Sequence, residues 1–128
     1  RPMLKFIDSD DYTVRINTTF LSQIIFNLVI NSSQALKQSN QDSKKEINIV
    51  VERLNKSIAI NIIDNGPGIP HDVTEKIFTP FFTTKDTGTG LGLSICKNLS
   101  KKINAELNLI KSNTGTHFQL LLQDSGLK

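Results

Sequence analysis

Hydrophobic positions recur along this chain with two different periods, and the changes between them mark its elements. Lys5-Phe6-Ile7 and Thr13-Val14-Arg15-Ile16 predict two short strands joined by an acidic turn, Asp8-Ser9-Asp10-Asp11. Over residues 20–37 the apolar residues Leu21, Ile24, Ile25, Leu28 and Ala35 fall at helical spacing, with N-caps on offer at Asn17, Thr18 and Thr19. The polar run 39–45 reads as a loop. Beyond it the period drops to two: Ile47, Ile49 and Val51 share one face of 46–53, and Ile58, Ile60 and Ile62 one face of 57–63. The short Leu54-Asn55-Lys56 connection makes these an antiparallel hairpin. After the turn Gly66-Pro67-Gly68-Ile69-Pro70, residues 72–77 predict a short helix and 79–90 a loop. Ile95, Leu99 and Ile103 predict a second long helix over 92–103, and 106–111 and 116–122 predict a last hairpin turning at Asn113-Thr114-Gly115.

Strands thus run together with helices inserted between them. That order predicts an α+β fold, a two-layer α/β sandwich in which a mixed sheet carries its helices on one face. The 128 residues are 38% hydrophobic, which predicts a single domain, 1–128, whose core needs no disulfide or metal. Lys plus Arg is 15 and Asp plus Glu 12, a formal charge of +3. The lysines are scattered and do not interleave with aromatics, so nucleic acid is not an expected partner. The single cysteine, Cys96, excludes an internal disulfide and reads as a small packed residue. No stretch reaches the roughly 18 apolar residues of a membrane span. The opening Arg1-Pro2-Met3-Leu4-Lys5 does not resemble a signal peptide and reads as a cut inside a longer protein. The chain is expected to be cytoplasmic, with room for a membrane anchor elsewhere in the full-length protein.

Several stretches carry polar or glycine residues that the hydrophobic pattern does not explain. On the first long helix Gln23, Asn27, Asn31 and Gln34 share a face. A solvated stripe is the simple reading, yet asparagine is a poor helix former and Lys or Glu would serve a wet surface better. Neutral amide oxygens one turn apart suit Mg2+, which prefers hard oxygen donors. Asp64, at the end of an apolar strand, is either the cap of a tight turn or a carboxylate set to accept from an amine deep in a pocket. Gly66 and Gly68 would let the backbone approach a flat ligand. Gly88-Thr89-Gly90-Leu91-Gly92-Leu93 ends a polar loop and opens a helix, either as a hinge or as an anion site of exposed N–H groups. It lacks the Gly-Lys-Ser/Thr of a Walker loop and the preceding strand of a dinucleotide fingerprint. Phe78, Phe81 and Phe82 are expected to pin their loop to the core and to present Lys85 as a cation for phosphate.

In this order the stretches resemble the boxes of sensor histidine kinases. Asn27-Leu28-Val29-Ile30-Asn31 looks like the N box, 64–68 the G1 box, 78–82 the F box and 88–93 the G2 box. Gly115-Thr116 followed by Phe118 resembles the family's final G-T-x-F segment. The wording of 31–36 and of Pro80-Phe81-Phe82-Thr83-Thr84-Lys85 is most similar to the nitrogen-regulator type. The resemblance implies the Bergerat fold, shared with gyrase, heat-shock chaperone and mismatch-repair ATPases, and the ligands ATP and Mg2+. By that analogy Asn31 ligates Mg2+, with Asn27 and Gln34 on the same face of the ATP site. Asp64 accepts from the adenine amino group, and Gly66, Gly68 and Ile69 floor its pocket beside Phe78. Lys85, Gly88, Thr89, Gly90, Leu91, Gly92 and Leu93 cover the phosphates, and Thr116 supports Asp64.

Asn27 stands where the family's true ATPases resemble one another in a water-activating glutamate, and an amide has no basicity for that work. The expectation is ATP binding with little hydrolysis. The only histidines are His71, in Ile69-Pro70-His71-Asp72 beside the glycine turn, and His117, on an expected strand with no acidic neighbour; neither resembles the family's acceptor, which sits in a helical hairpin with an adjacent carboxylate. The phosphoacceptor is therefore expected on a separate dimerisation domain, with a response regulator downstream, the full-length protein a homodimer and this chain a monomer. Three departures stand out: Asn17-Thr18-Thr19 for the frequent Gly-Asp, Asn31-Ser32 for Asn-Ala, and Gln34 where many relatives place lysine. The alternatives are a chaperone- or topoisomerase-type ATPase module and a non-catalytic nucleotide-sensing module.

Overall fold

The structure, a computed structural model, describes residues 3–8 as main chain and residues 18–40, 44–80, 92–112 and 114–123 with their side chains. Strand β1 (Met3–Asp8) leads to helix α1 (Thr18–Lys37) and the hairpin of β2 (Glu46–Leu54) and β3 (Ser57–Asp64). A 3-10 turn (His71–Val73), helix α2 (Gly92–Lys102) and the hairpin of β4 (Ala105–Ile110) and β5 (Thr116–Gln123) follow. Among the described residues the strands form one sheet of order β1-β2-β3-β5-β4. β1 runs parallel to β2 and every other pair is antiparallel, the mixed sheet expected. α1 packs over β2 and β3, α2 over β4, and the helices pack on each other.

Register decides which face meets the helices. Ile49 pairs with Ile62, Ile62 with Phe118, and Leu120 with both Ile60 and Leu107, so each inward residue stands beside another. α1 answers with Ile24, Leu28, Ser32 and Leu36, one residue per turn, and α2 with Cys96 and Leu99. Each fully buried Leu, Ile or Phe of this layer contributes about 1.5–3 kcal/mol. Because side chains alternate along a strand, Asp64 shares the helix-facing side of β3 with Ile58, Ile60 and Ile62. The strand thereby delivers a carboxylate to the end of an apolar row.

The opposite face has a polar centre. Alternation alone would assign Asn61 to water, yet it is 2% exposed. Its Nδ2 donates to the Val50 carbonyl and to Glu52 Oε1, both at 3.2 Å. Its Oδ1 accepts from His117 Nε2 at 2.7 Å and from Gln119 Nε2 at 3.1 Å. All four hydrogen-bonding positions of the amide are used.

The elements otherwise follow the sequence pattern, with one change of type. The short helix expected over 72–77 is a single 3-10 turn, His71–Val73, continued by turns to residue 78. The Thr74 hydroxyl donates to the His71 carbonyl and the Thr79 hydroxyl to that of Lys76. Such local bonds compete with an α-helix too short to offset its nucleation. α1 begins at Thr18, two residues before its first apolar position. The strand expected at 13–16 lies outside the described residues, as do Asn17 and Asn113. The β2–β3 hairpin turns as expected on Asn55-Lys56, with Asn55 in the left-handed region at φ 55°. No helix among the described residues is long and apolar enough to cross a membrane.

Candidate functional site

Three distant segments meet at Asp64. Its Oδ1 accepts the Gly66 N–H at 2.9 Å and the Thr116 N–H at 3.1 Å. Its Oδ2 is buried and has no hydrogen-bond partner among the described residues. One oxygen is thus clamped by main chain, which fixes the carboxylate plane, and the other is left to accept. An unpartnered buried acceptor costs about 1–3 kcal/mol, so a ligand that donates to it recovers that cost.

Gly115 makes the clamp possible. It has φ 75°, and a β-carbon there would stand 1.8 Å from the Asp64 carbonyl oxygen. Only glycine lets the two backbones approach so closely, and that approach brings the Thr116 N–H onto the carboxylate. Gly68 sits against the other side of Gly115, facing its carbonyl. A β-carbon on Gly66 would stand 3.1 Å from both Asp64 Oδ1 and Leu36 Cδ2, so α1 rests directly on this turn. Asn65 ties the turn to the start of β2: its side chain accepts the Glu46 N–H at 2.8 Å and donates to the Lys44 carbonyl.

On α1, Asn27 and Asn31 are half-buried, while Gln23 and Gln34 are exposed. The Asn27 side chain hydrogen-bonds the Cys96 thiol of α2. Phe78 is pinned as expected, edge-on to Phe118 with centroids 6.2 Å apart. Lys97 Nζ lies 4.9 Å above its ring and donates to the Leu107 carbonyl at 2.7 Å. Ile69, Phe78 and Thr116 line a cavity of about 480 Å3 together with Lys97, Leu107 and Leu109. Asn31, Asp64 and Gly66 do not line it. The residues singled out from sequence therefore fall into two groups, joined through the 64–69 turn and the Gly115-Thr116 step.

Thr116 supports Asp64, as the resemblance implies, but through its main-chain N–H. Gly92 opens α2 with free space around it, and Leu93 is half-buried against the core. Lys85, Gly88, Thr89, Gly90, Leu91, Phe81 and Phe82 lie outside the described residues. His117 points to the sheet face opposite Asp64, and His71 is exposed on the 3-10 turn. Sequence reasoning did not single out Ser32, Asn65 or Gly115 as site residues. A signal existed for two of them: Gly115 precedes Thr116 in the G-T-x-F segment, and Ser32 replaces an expected alanine.

Known proteins share this fold. Residues 16–126 match the family model described as histidine kinase-, DNA gyrase B-, and HSP90-like ATPase. The chain belongs to this family. Its relatives there are sensor histidine kinases. The C4-dicarboxylate transport sensor protein DctB of Rhizobium meliloti (strain 1021) is 36% identical over 107 residues, 84% of this chain and 17% of that protein. The chain thus spans under a fifth of the length of that relative. The nucleotide-free catalytic domain of histidine kinase ThkA superposes with a TM-score of 0.77 at 31% identity, covering 94% of this chain and 78% of that one. ThkA in complex with the response regulator protein TrrA gives 0.77 at 28% identity, covering 98% and 35%. The chain is an ATP-binding domain of the sensor-kinase type, with the fold of histidine kinase catalytic domains.

Proposed function

We propose that residues 1–128 act as one catalytic domain that binds Mg-ATP and supplies its γ-phosphate to a histidine on a separate dimerisation domain. The observation that carries this reading is Asp64, 2% exposed, with Oδ1 held by two N–H groups and Oδ2 without a partner among the described residues. That is an acceptor suited to the amino group of adenine. Gly66, Gly68 and Ile69 are the floor against which the base lies, and Lys85 with residues 88–92 is the cover over the phosphates. Among the described residues no three His, Cys, Asp or Glu side chains gather to hold a metal. A Mg2+ ion here would rest on the Asn31 amide oxygen and on phosphate oxygens, which suits its preference for few protein ligands. When bound it neutralises phosphate charge.

Asn27 supports transfer over hydrolysis. Its amide is not a base, and it is engaged with the Cys96 thiol. Turnover of ATP by this chain alone is accordingly expected below about 1 s⁻¹. The acceptor is assigned to a separate domain, because His117 faces away from Asp64 and His71, although followed by Asp72, lies exposed on a 3-10 turn and not in a helical hairpin. The response regulator seen with ThkA is the class of downstream partner we assign to the full-length protein.

Nucleotide binding is tested by thermal melting with Mg-ADP and by titration of Asp64→Asn. Ligand at about 100 times its Kd stabilises the native state by about 2.7 kcal/mol. The substitution keeps the shape and turns an acceptor into a donor, so affinity falls about 10- to 100-fold. Unchanged affinity in this variant would refute the assignment of Asp64 to the base.

A further inference from the structure

The nucleotide site described above leaves Lys97 and the cavity wall along β4 unused. The cavity measures about 480 Å3, within the roughly 300–1,000 Å3 of small-molecule pockets. Ile69, Phe78, Leu107 and Leu109 give it an apolar wall, which Lys97 enters from α2. β4 is the last strand of the sheet, so among the described residues no further strand fills the space beside it. Residues 107–112 follow one another along the cavity.

Lys97 is half-buried, in a setting where an unpaired charge is costly. Its Nζ donates to the Leu107 carbonyl at 2.7 Å and stands 4.9 Å from the centroid of the Phe78 ring. Both partners belong to the cavity wall. An ammonium has three N–H donors, and the carbonyl takes one. Neither partner carries a charge, and Lys97 has no carboxylate partner among the described residues. Lys102, the other lysine of α2 that lies over a ring, is exposed, and water solvates its charge. A half-buried cation held by a neutral oxygen and a ring, in an apolar wall, suits an anion whose remaining surface is apolar.

We propose that this cavity is a second ligand site, which takes a monocarboxylate with an apolar body. The carboxylate meets Lys97 Nζ, and the body packs on Phe78, Leu107 and Leu109. Lys97 and Lys111 against Glu75 leave the lining one positive charge, which matches a single negative one. A phosphate dianion would bring a second charge without a partner, and a hydration shell that the apolar wall cannot replace. The site borders the clamp on Asp64 without sharing its acceptor: Gly115 and Thr116 belong to the wall, and Asp64 does not. It goes beyond the nucleotide reading and does not depend on it.

Cinnamate is the probe, and cinnamamide its uncharged counterpart. Each is titrated into the wild type, Lys97→Met and Lys97→Arg, with backbone N–H shifts followed by NMR. The wild type is expected to bind cinnamate about 10- to 100-fold tighter than cinnamamide, the worth of one charged hydrogen bond. The largest shifts should fall within residues 107–112. Lys97→Met is expected to bind the two probes alike, and Lys97→Arg to keep the preference. Should Lys97→Met fail to fold, the preference and the shift map of the wild type decide alone. Equal affinity of the wild type for both probes, shifts centred elsewhere, or no shift at about 1 mM cinnamate overturns the inference. Displacement of cinnamate by Mg-ADP overturns it too, by making the cavity part of the nucleotide site. Cinnamate binding at residues 107–112 by a protein that does not bind Mg-ADP upholds it and refutes the nucleotide reading alone.

Discussion

At the scale of single residues, the two oxygens of Asp64 have different work, and main chain assigns it. Oδ1 is occupied by the N–H groups of Gly66 and Thr116, and the second of these arrives only because Gly115 has no side chain. Gly115→Ala forces the loop away from the Asp64 carbonyl and strains a positive φ. The expected cost is about 1–3 kcal/mol of stability. It should come with weaker Mg-ADP binding, because the carboxylate loses the bond that orients it. Melting and titration of the one variant check both effects, and a variant that melts like the wild type would contradict the close approach.

At the scale of elements, α1 and α2 are joined through Cys96. The thiol is fully buried and donates to the Ile24 carbonyl at 3.7 Å, while the Asn27 side chain bonds it from the same helix. Burial pushes its pKa up to about 11, against a smaller opposing effect of the Asn27 bond. The thiolate is the reactive form, so Cys96 in the folded chain should resist alkylation near about pH 8, where a free thiol of pKa about 8.5 reacts. Labelling should become rapid only in denaturant. Fast labelling of the native protein would show that the helix pair opens. The packed cysteine was legible in the sequence, because a lone Cys on an apolar helical face packs far more often than it reacts. Its bond to Asn27 was not, because the two residues lie on different helices.

At the scale of the whole molecule, the sheet separates two chemistries. The helix-covered face ends in Asp64 and the opposite face is centred on the buried Asn61, bonded to His117, Gln119 and Glu52. Burial lowers the pKa of His117, and the charge of Glu52 opposes this in part. The unfolded chain therefore takes up a proton that the folded chain resists. This contribution to stability is complete above the ordinary imidazole value of about 6.5 and is lost as pH falls below it. His117→Gln retains a donor for Asn61 and removes the titration. Its melting temperature should fall less steeply than that of the wild type from about pH 7 to about pH 5. Parallel pH profiles for the two proteins would exclude this account.

The sequence by itself determined the order of elements, the sandwich and the boxes from Asn27 to Phe118. Periods of two and of about 3.6, glycine turns and box wording are local, and local pattern survives without knowledge of what lies opposite. It missed the type of the 71–78 segment, where hydroxyls compete for the carbonyls an α-helix would need. Only the tertiary structure decided which oxygen of Asp64 is spare among the described residues, why Gly115 must be glycine and that Asn61 is buried. Each depends on residues brought together from afar: Asp64 meets Thr116 across 52 positions and Asn61 meets His117 across 56. Strand register and helix seating set those meetings, and no pattern within one segment records its neighbour.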